Sequence, residues 1–207
     1  MDLRQFIEQE IVPRYDNHDG GHQRDHAHYV IEQSQHLAQY YPEVDRDMLL
    51  VAAAYHDLGL CEGRKLHHVV SARIIREDKR LLQWFTPEQI DVIADAAEDH
   101  RASSDHEPRT IYGRLIAESD RQIDGDTIIR RTIQYTQAHY PEMNEAEQYQ
   151  RFIEHMAKKY DYGGYLKLWI PESDNAVNLE QYRKLLHQPE ALKAKYDEIY
   201  SQLKVNG

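Results

Sequence analysis

Ala52-Ala53-Ala54-Tyr55-His56-Asp57-Leu58-Gly59 is the stretch whose reading decides the fold. An apolar, alanine-rich helical run meets an adjacent His-Asp pair and then a glycine. Inside a helix, neighbouring side chains point about 100° apart and cannot grip one atom. At a fraying last turn they can converge, and Gly59 is expected to end the helix by going left-handed. Imidazole nitrogen and carboxylate oxygen together suit a divalent metal of intermediate softness. An isolated pair of this kind reads better as a buried histidine hydrogen-bonded to an aspartate, so its companions along the chain decide.

Working outward, the chain reads as all-α. Only 9 Gly and 7 Pro in 207 residues, with many Glu, Gln, Ala, Leu and Arg, favour helix. Apolar spacing and capping residues predict helices over residues 2–15, about 22–41, 45–57, 67–78, 86–100, about 110–121, 126–140, 145–160, 176–186 and 189–203. Asp2 is expected to cap the first, Thr86-Pro87-Glu88-Gln89 to open the fifth as a capping box, and Asp126 to cap the seventh. Between them lie a loop over residues 59–65 with Arg64 and Lys65, and a polar loop over residues 101–109. Residues 162–171, Tyr-Gly-Gly-Tyr-Leu-Lys-Leu-Trp-Ile-Pro, are turn-rich and read as a loop or short extended piece. The Tyr-rich part either folds over a pocket or, the better prior, packs the C-terminal helices. Ligand-type residues thin out beyond residue 125, which sets the expected boundary between residues 1–125 and 126–207.

The formal charge of −11 argues against a nucleic-acid backbone or an anionic membrane as main partner. It leaves room for a small phosphate compound held by a local cluster of cations. One cysteine, Cys61, fits a reducing compartment, and the absence of a signal-like or membrane-spanning run points to the cytoplasm. Apolar helical faces leave a homodimer open. Thirteen His is a high count, so position must sort ligands from surface residues.

His26 shares a stripe with Val30; His56-Asp57 ends the alanine-rich helix; His100 lies on the face of Ile93, Ala96 and Ala97; Asp120 lies on that of Ile116 and Ala117. Apolar faces turned to one core bring these groups together. An ionised Asp there needs a partner, and a divalent cation meets that need and explains the histidines as well. Two His and two Asp suit six-coordinate Mn(II), Fe(II), Mg(II), Co(II) or Ni(II) better than a closed tetrahedral zinc site.

The ordered set His22-x-x-x-His26-x-x-x-Val30, Tyr55-His56-Asp57-Leu58-Gly59, His67-x-x-x-Ser71-Ala72, Glu98-Asp99-His100 and Glu118-Ser119-Asp120-Arg121 resembles the HD superfamily of metal-dependent phosphohydrolases over residues 20–125. The resemblance implies an HD-type helical bundle as metal-binding core; the later helices, which carry no motif of it, are expected to form a C-terminal extension packed on that core. It implies hydrolysis of a small phosphate ester or anhydride, frequently a nucleotide. His26, His56, Asp57 and Asp120 would be the metal ligands. His67 and His100 fall where some members bind a second metal, with Asp57 bridging; composition alone does not choose between His67 and His68. A single-metal site with His67 and His100 as phosphate donors stays open. Arg101 stands where cyclic-dinucleotide phosphodiesterases of the superfamily carry a second adjacent His, which lowers that substrate class.

In the expected chemistry Asp57 orients or deprotonates a water, and His67 or His100 protonates the leaving oxygen. Lys65 and Arg64, then Arg101 and Arg121, meet the other phosphate oxygens; His22 binds phosphate or faces solvent. Two other classes compete: a di-iron oxygenase using the same six ligands, and a non-catalytic nucleotide-binding module.

Overall fold

A computed structural model describes residues 1–17, 23–104 and 106–205. Every regular element among them is helical, as the composition required. The first helix is α1 (Leu3–Phe6), opened by a capping box between Asp2 and Gln5. It does not run regularly to Tyr15. It widens into a π segment over Ile7–Ile11 and then tightens into a 3₁₀ stretch over Val12–Asn17. Pro13 accounts for the change, because it has no N–H to donate four residues back and its ring crowds that carbonyl.

Next come α2 (Arg24–Leu37), α3 (Arg46–Tyr55), α4 (His67–Glu77), α5 (Pro87–Glu98) and α6 (Ile111–Ser119). Asp45 caps α3 by accepting the N–H groups of Asp47 and Met48. Thr86 and Gln89 form the expected capping box of α5, with Pro87 at its first position. α3 is central, against α2, α5 and α6, while α4 lies along α5. All eight residues from Met48 to Tyr55 are buried. Small side chains dominate the crossings: Ala52, Ala53, Ala54, Ala94, Ala96, Ala97 and Ala117 are fully buried. Such residues let helix axes approach closely, so side chains from five helix ends can reach a common point.

Gly59 does not take the left-handed conformation expected of it. Among the described residues positive φ belongs to Gly63 at 104° and Gly163 at 83°. Gly59 instead permits a close approach: a Cβ there would lie 2.0 Å from the His67 carbonyl oxygen and 2.6 Å from the Ser71 nitrogen. The chain turns at Asp57 itself, whose φ of −108° and ψ of 4° leave the helical region. A 3₁₀ stretch, Leu58–Glu62, then leads to the bend at Gly63.

The chain divides into two compact units. The first comprises residues 1–121 together with residues 168–173, which return to it late in the sequence. Ile170 enters its core, and the buried Glu118 carboxylate accepts the N–H groups of Trp169, at 2.7 Å, and Ile170. The second unit, residues 122–167 and 174–207, holds α7 (Gly125–His139), α8 (Glu145–Lys159), α9 (Asn175–Leu186) and α10 (Pro189–Val205). Asp124, not Asp126, caps α7, accepting the Thr127 N–H at 2.7 Å. Ile129, Ile133, Phe152, Met156, Tyr182 and Tyr196 fill this unit, so much of the tyrosine excess serves packing. No helix among the described residues is long and apolar enough to cross a membrane.

Candidate metal centre

The site grows from the C-terminal end of α3. His56 is fully buried, and its Nδ1–H donates to the Ala53 carbonyl at 2.7 Å. Asp57 follows on the unwound turn. Tyr15, also fully buried, steadies that turn: its hydroxyl donates to the Ala54 carbonyl at 3.0 Å and accepts the Asp57 N–H at 3.3 Å.

The two carboxylate oxygens of Asp57 serve two histidine pairs. Oδ2 lies 3.6 Å from His26 Nε2 and 3.4 Å from His56 Nε2. Oδ1 lies 3.4 Å from His67 Nε2 and 3.5 Å from His100 Nε2. Within the pairs, the Nε2 atoms of His26 and His56 are 3.2 Å apart, and those of His67 and His100 are 3.1 Å apart. Asp120, at the C-terminal cap of α6, adds Oδ1 at 3.2 Å from His26 Nε2 and 3.9 Å from His56 Nε2. Two groups of potential ligands, His26–His56–Asp57 and Asp57–His67–His100, therefore share one carboxylate.

The donor chemistry of these rings fits a cation. His67 Nδ1–H donates to the Arg64 carbonyl at 2.7 Å and His100 Nδ1–H to the Ala97 carbonyl at 2.5 Å. A carbonyl only accepts, so the ring proton sits on Nδ1 and each neutral ring presents a lone pair at Nε2. Two lone pairs 3.1 Å apart repel unless positive charge lies between them. Ligand bonds of about 2.1 Å at right angles put neighbouring donors roughly 3 Å apart.

Without a metal, protons fill that role. Burial works against the His26 imidazolium, but hydrogen bonds to Asp120 and Asp57 outweigh it and push its pKa up to about 9. Burial opposes protonation of His100 too, yet the Asp57 hydrogen bond and charge raise its pKa. Burial, and then the His100 charge, push His67 down to about 4. Desolvation pulls the carboxyls upward, but the imidazoles, His56 for Asp57 and His26 for Asp120, hold both well below the usual carboxylate range. The pocket thus demands positive charge.

Residues 24–122 match the family model for the HD domain. These residues belong to the HD domain family. No curated protein and no solved structure gives a significant match to the chain.

The HD domain gathers His26, His56, Asp57, His67, His100 and Asp120 at one place. It brings His67, not His68, to Asp57. Arg64 and Lys65 are exposed on the loop before α4, and Arg101 Nη1 donates to the Lys65 carbonyl at 2.7 Å. Arg121, expected to meet a phosphate oxygen, is instead 7 % exposed and donates to the Ala117 carbonyl of α6. His22 lies outside the described residues.

Three supporting residues have roles that the sequence pattern does not assign. Tyr15 reads there only as the end of a helix. Ser71, buried on α4, accepts the Gly59 N–H at 2.9 Å, and its place one turn after His67 was the available signal. Asp99, buried beside His100, takes the Arg109 backbone N–H at 2.6 Å and its Nη2–H at 2.8 Å, which closes the 101–109 loop.

Proposed function

We propose that the protein is a metal-dependent phosphohydrolase acting on a small phosphate ester or anhydride, with nucleotides as the favoured class. The observation that carries this reading is the single Asp57 carboxylate set between two imidazole pairs. His26, His56, Asp57 and Asp120 would hold one divalent ion, and Asp57, His67 and His100 a second. A bound divalent cation supplies Lewis acidity to a phosphoryl oxygen and acidity to an attached water.

The chain's own groups do the rest. Asp57 fixes the spacing of the two donor sets and stays ionised, held so by the surrounding imidazoles. Tyr15, Ser71 and the Ala53, Arg64 and Ala97 carbonyls orient the ligands. Lys65 and Arg101 lie at the loop beside His67 and His100, where phosphate oxygens need cationic donors. The acidic chain favours a small substrate over a nucleic-acid strand.

The test is phosphate release from a panel of nucleotides and sugar phosphates by the purified chain with Mn(II), Mg(II), Co(II), Ni(II) or Fe(II). Turnover that needs the metal and falls at least a thousandfold in Asp57→Ala is expected. Full activity in Asp57→Ala would reject the reading. The second reading, a di-iron oxygenase on the same six ligands, would be revealed by iron content together with substrate-dependent oxygen uptake.

A further inference from the structure

Among the described residues, cationic side chains gather where the loop after Gly63 meets the start of the 101–109 loop. Gly63 bends the chain, and the loop that follows is pinned to the Asp57–His67–His100 group by both of its carbonyls. Arg64 O accepts from His67 Nδ1 at 2.7 Å, and Lys65 O accepts from Arg101 Nη1 at 2.7 Å. The Arg101 guanidinium therefore lies at the backbone of the residue two before His67, and Lys65 carries its exposed ammonium on that same short loop. Among the described residues neither side chain has a carboxylate partner. His68 stands next to them, its ring 5.5 Å from that of His67, with a buried Nδ1 that has no hydrogen-bond partner.

The other flank differs. Asp120 brings a second carboxylate to His26 and His56, Arg24 is neutralised by Asp16, and Arg121 is buried. In a chain of net charge −11, unpaired cations on one side of the centre are a directional feature. The imidazoles and Asp57 already serve one phosphoryl group, so these cations have donors to offer a neighbouring one.

We propose that Lys65, Arg101 and His68 form a subsite for a second phosphate group, so that the preferred substrates are phosphoanhydrides, such as nucleoside di- or triphosphates, rather than monoesters. The ammonium supplies a point charge, the guanidinium a planar fork, and the imidazole one further donor or acceptor. In the reaction, water oxygen bonds to the phosphorus held at the histidines and the anhydride P–O bond breaks. The bridging oxygen leaves on the phosphate seated at Lys65 and Arg101, and the released proton passes to solvent. The substrate class rests on the hydrolase reading; the binding preference does not.

Calorimetry on the full chain with Mn(II) tests it, using methylene diphosphonate and methyl phosphonate as probes. Lys65→Gln should lower the ratio of diphosphonate to phosphonate affinity about tenfold, the usual size for one charge-assisted hydrogen bond. Arg101→Gln should lower it as much, and the Lys65 side chain has no described partner whose loss could unfold the loop. An unchanged ratio in both variants, with melting temperatures like that of the parent, would overturn the subsite. If no phosphate compound is turned over with any metal, the hydrolase reading falls, while the ratio still reports on the subsite.

Discussion

The hydroxyl of Tyr15 accepts the backbone N–H of Asp57 at 3.3 Å, across 42 residues of chain. The same hydroxyl donates to the Ala54 carbonyl, so one phenol braces both sides of the turn that presents His56 and Asp57. Tyr15→Phe keeps the ring and removes both bonds. A loss of about 1–2 kcal/mol in stability is expected, read by denaturant unfolding, with weaker metal binding than the parent. Parent-like stability and metal affinity would show that the turn holds itself.

Gly59 is required by a close approach of backbone to backbone. In Gly59→Ala the new methyl would meet the His67 carbonyl oxygen and the Ser71 nitrogen, neither of which can swing aside. α4 must shift, at a cost of about 3 kcal/mol, and His67 moves with it. A variant that melts with the parent and binds as much metal would contradict this packing.

The metal-free protein should be most stable near pH 6.5. His26, raised from 6.5 to about 9, contributes stability that is complete below 6.5 and lost as pH rises through 9. His67, lowered from 6.5 to about 4, is stabilising above 6.5 and loses that contribution as pH falls toward 4. The melting temperature of chelator-treated protein should fall on both sides, and saturating divalent metal should remove the alkaline fall by displacing the His26 proton. A melting temperature that stays level from pH 6.5 to 9 without metal would refute it.

Asp99 is fully buried, and Arg109 is its guanidinium partner. Arg109→Ala leaves that carboxylate short of donors at a cost of about 3 kcal/mol. Adding Asp99→Asn should recover part of the loss, because the neutral amide no longer needs the charge. Absence of any recovery in the double variant would assign the effect to the loop rather than the pair.

The ligands were legible because each lies at a helix end or on an otherwise apolar stripe, and burial makes a lone His or Asp conspicuous there. Helix starts at Asp2, Asp45 and Thr86 were legible for the same local reason: capping needs only three or four neighbouring residues. What stayed hidden is long-range. Nothing near Tyr15 in the sequence announces that its hydroxyl serves Ala54 and Asp57. The return of residues 168–173 to the first unit depends on Glu118, some fifty residues earlier, offering a buried acceptor to two backbone N–H groups. Gly59 stands out in the sequence, yet its need is for space against His67 and Ser71 rather than for a left-handed turn.

Anomalous scattering at the manganese edge, from crystals of the purified chain equilibrated with Mn(II), tests the shared carboxylate most directly. One peak bonded to Asp57 with His26 and His56, and another bonded to Asp57 with His67 and His100, is the predicted result. A saturated crystal with no peak at Asp57, or with Asp57 turned away from bound metal, would contradict the account.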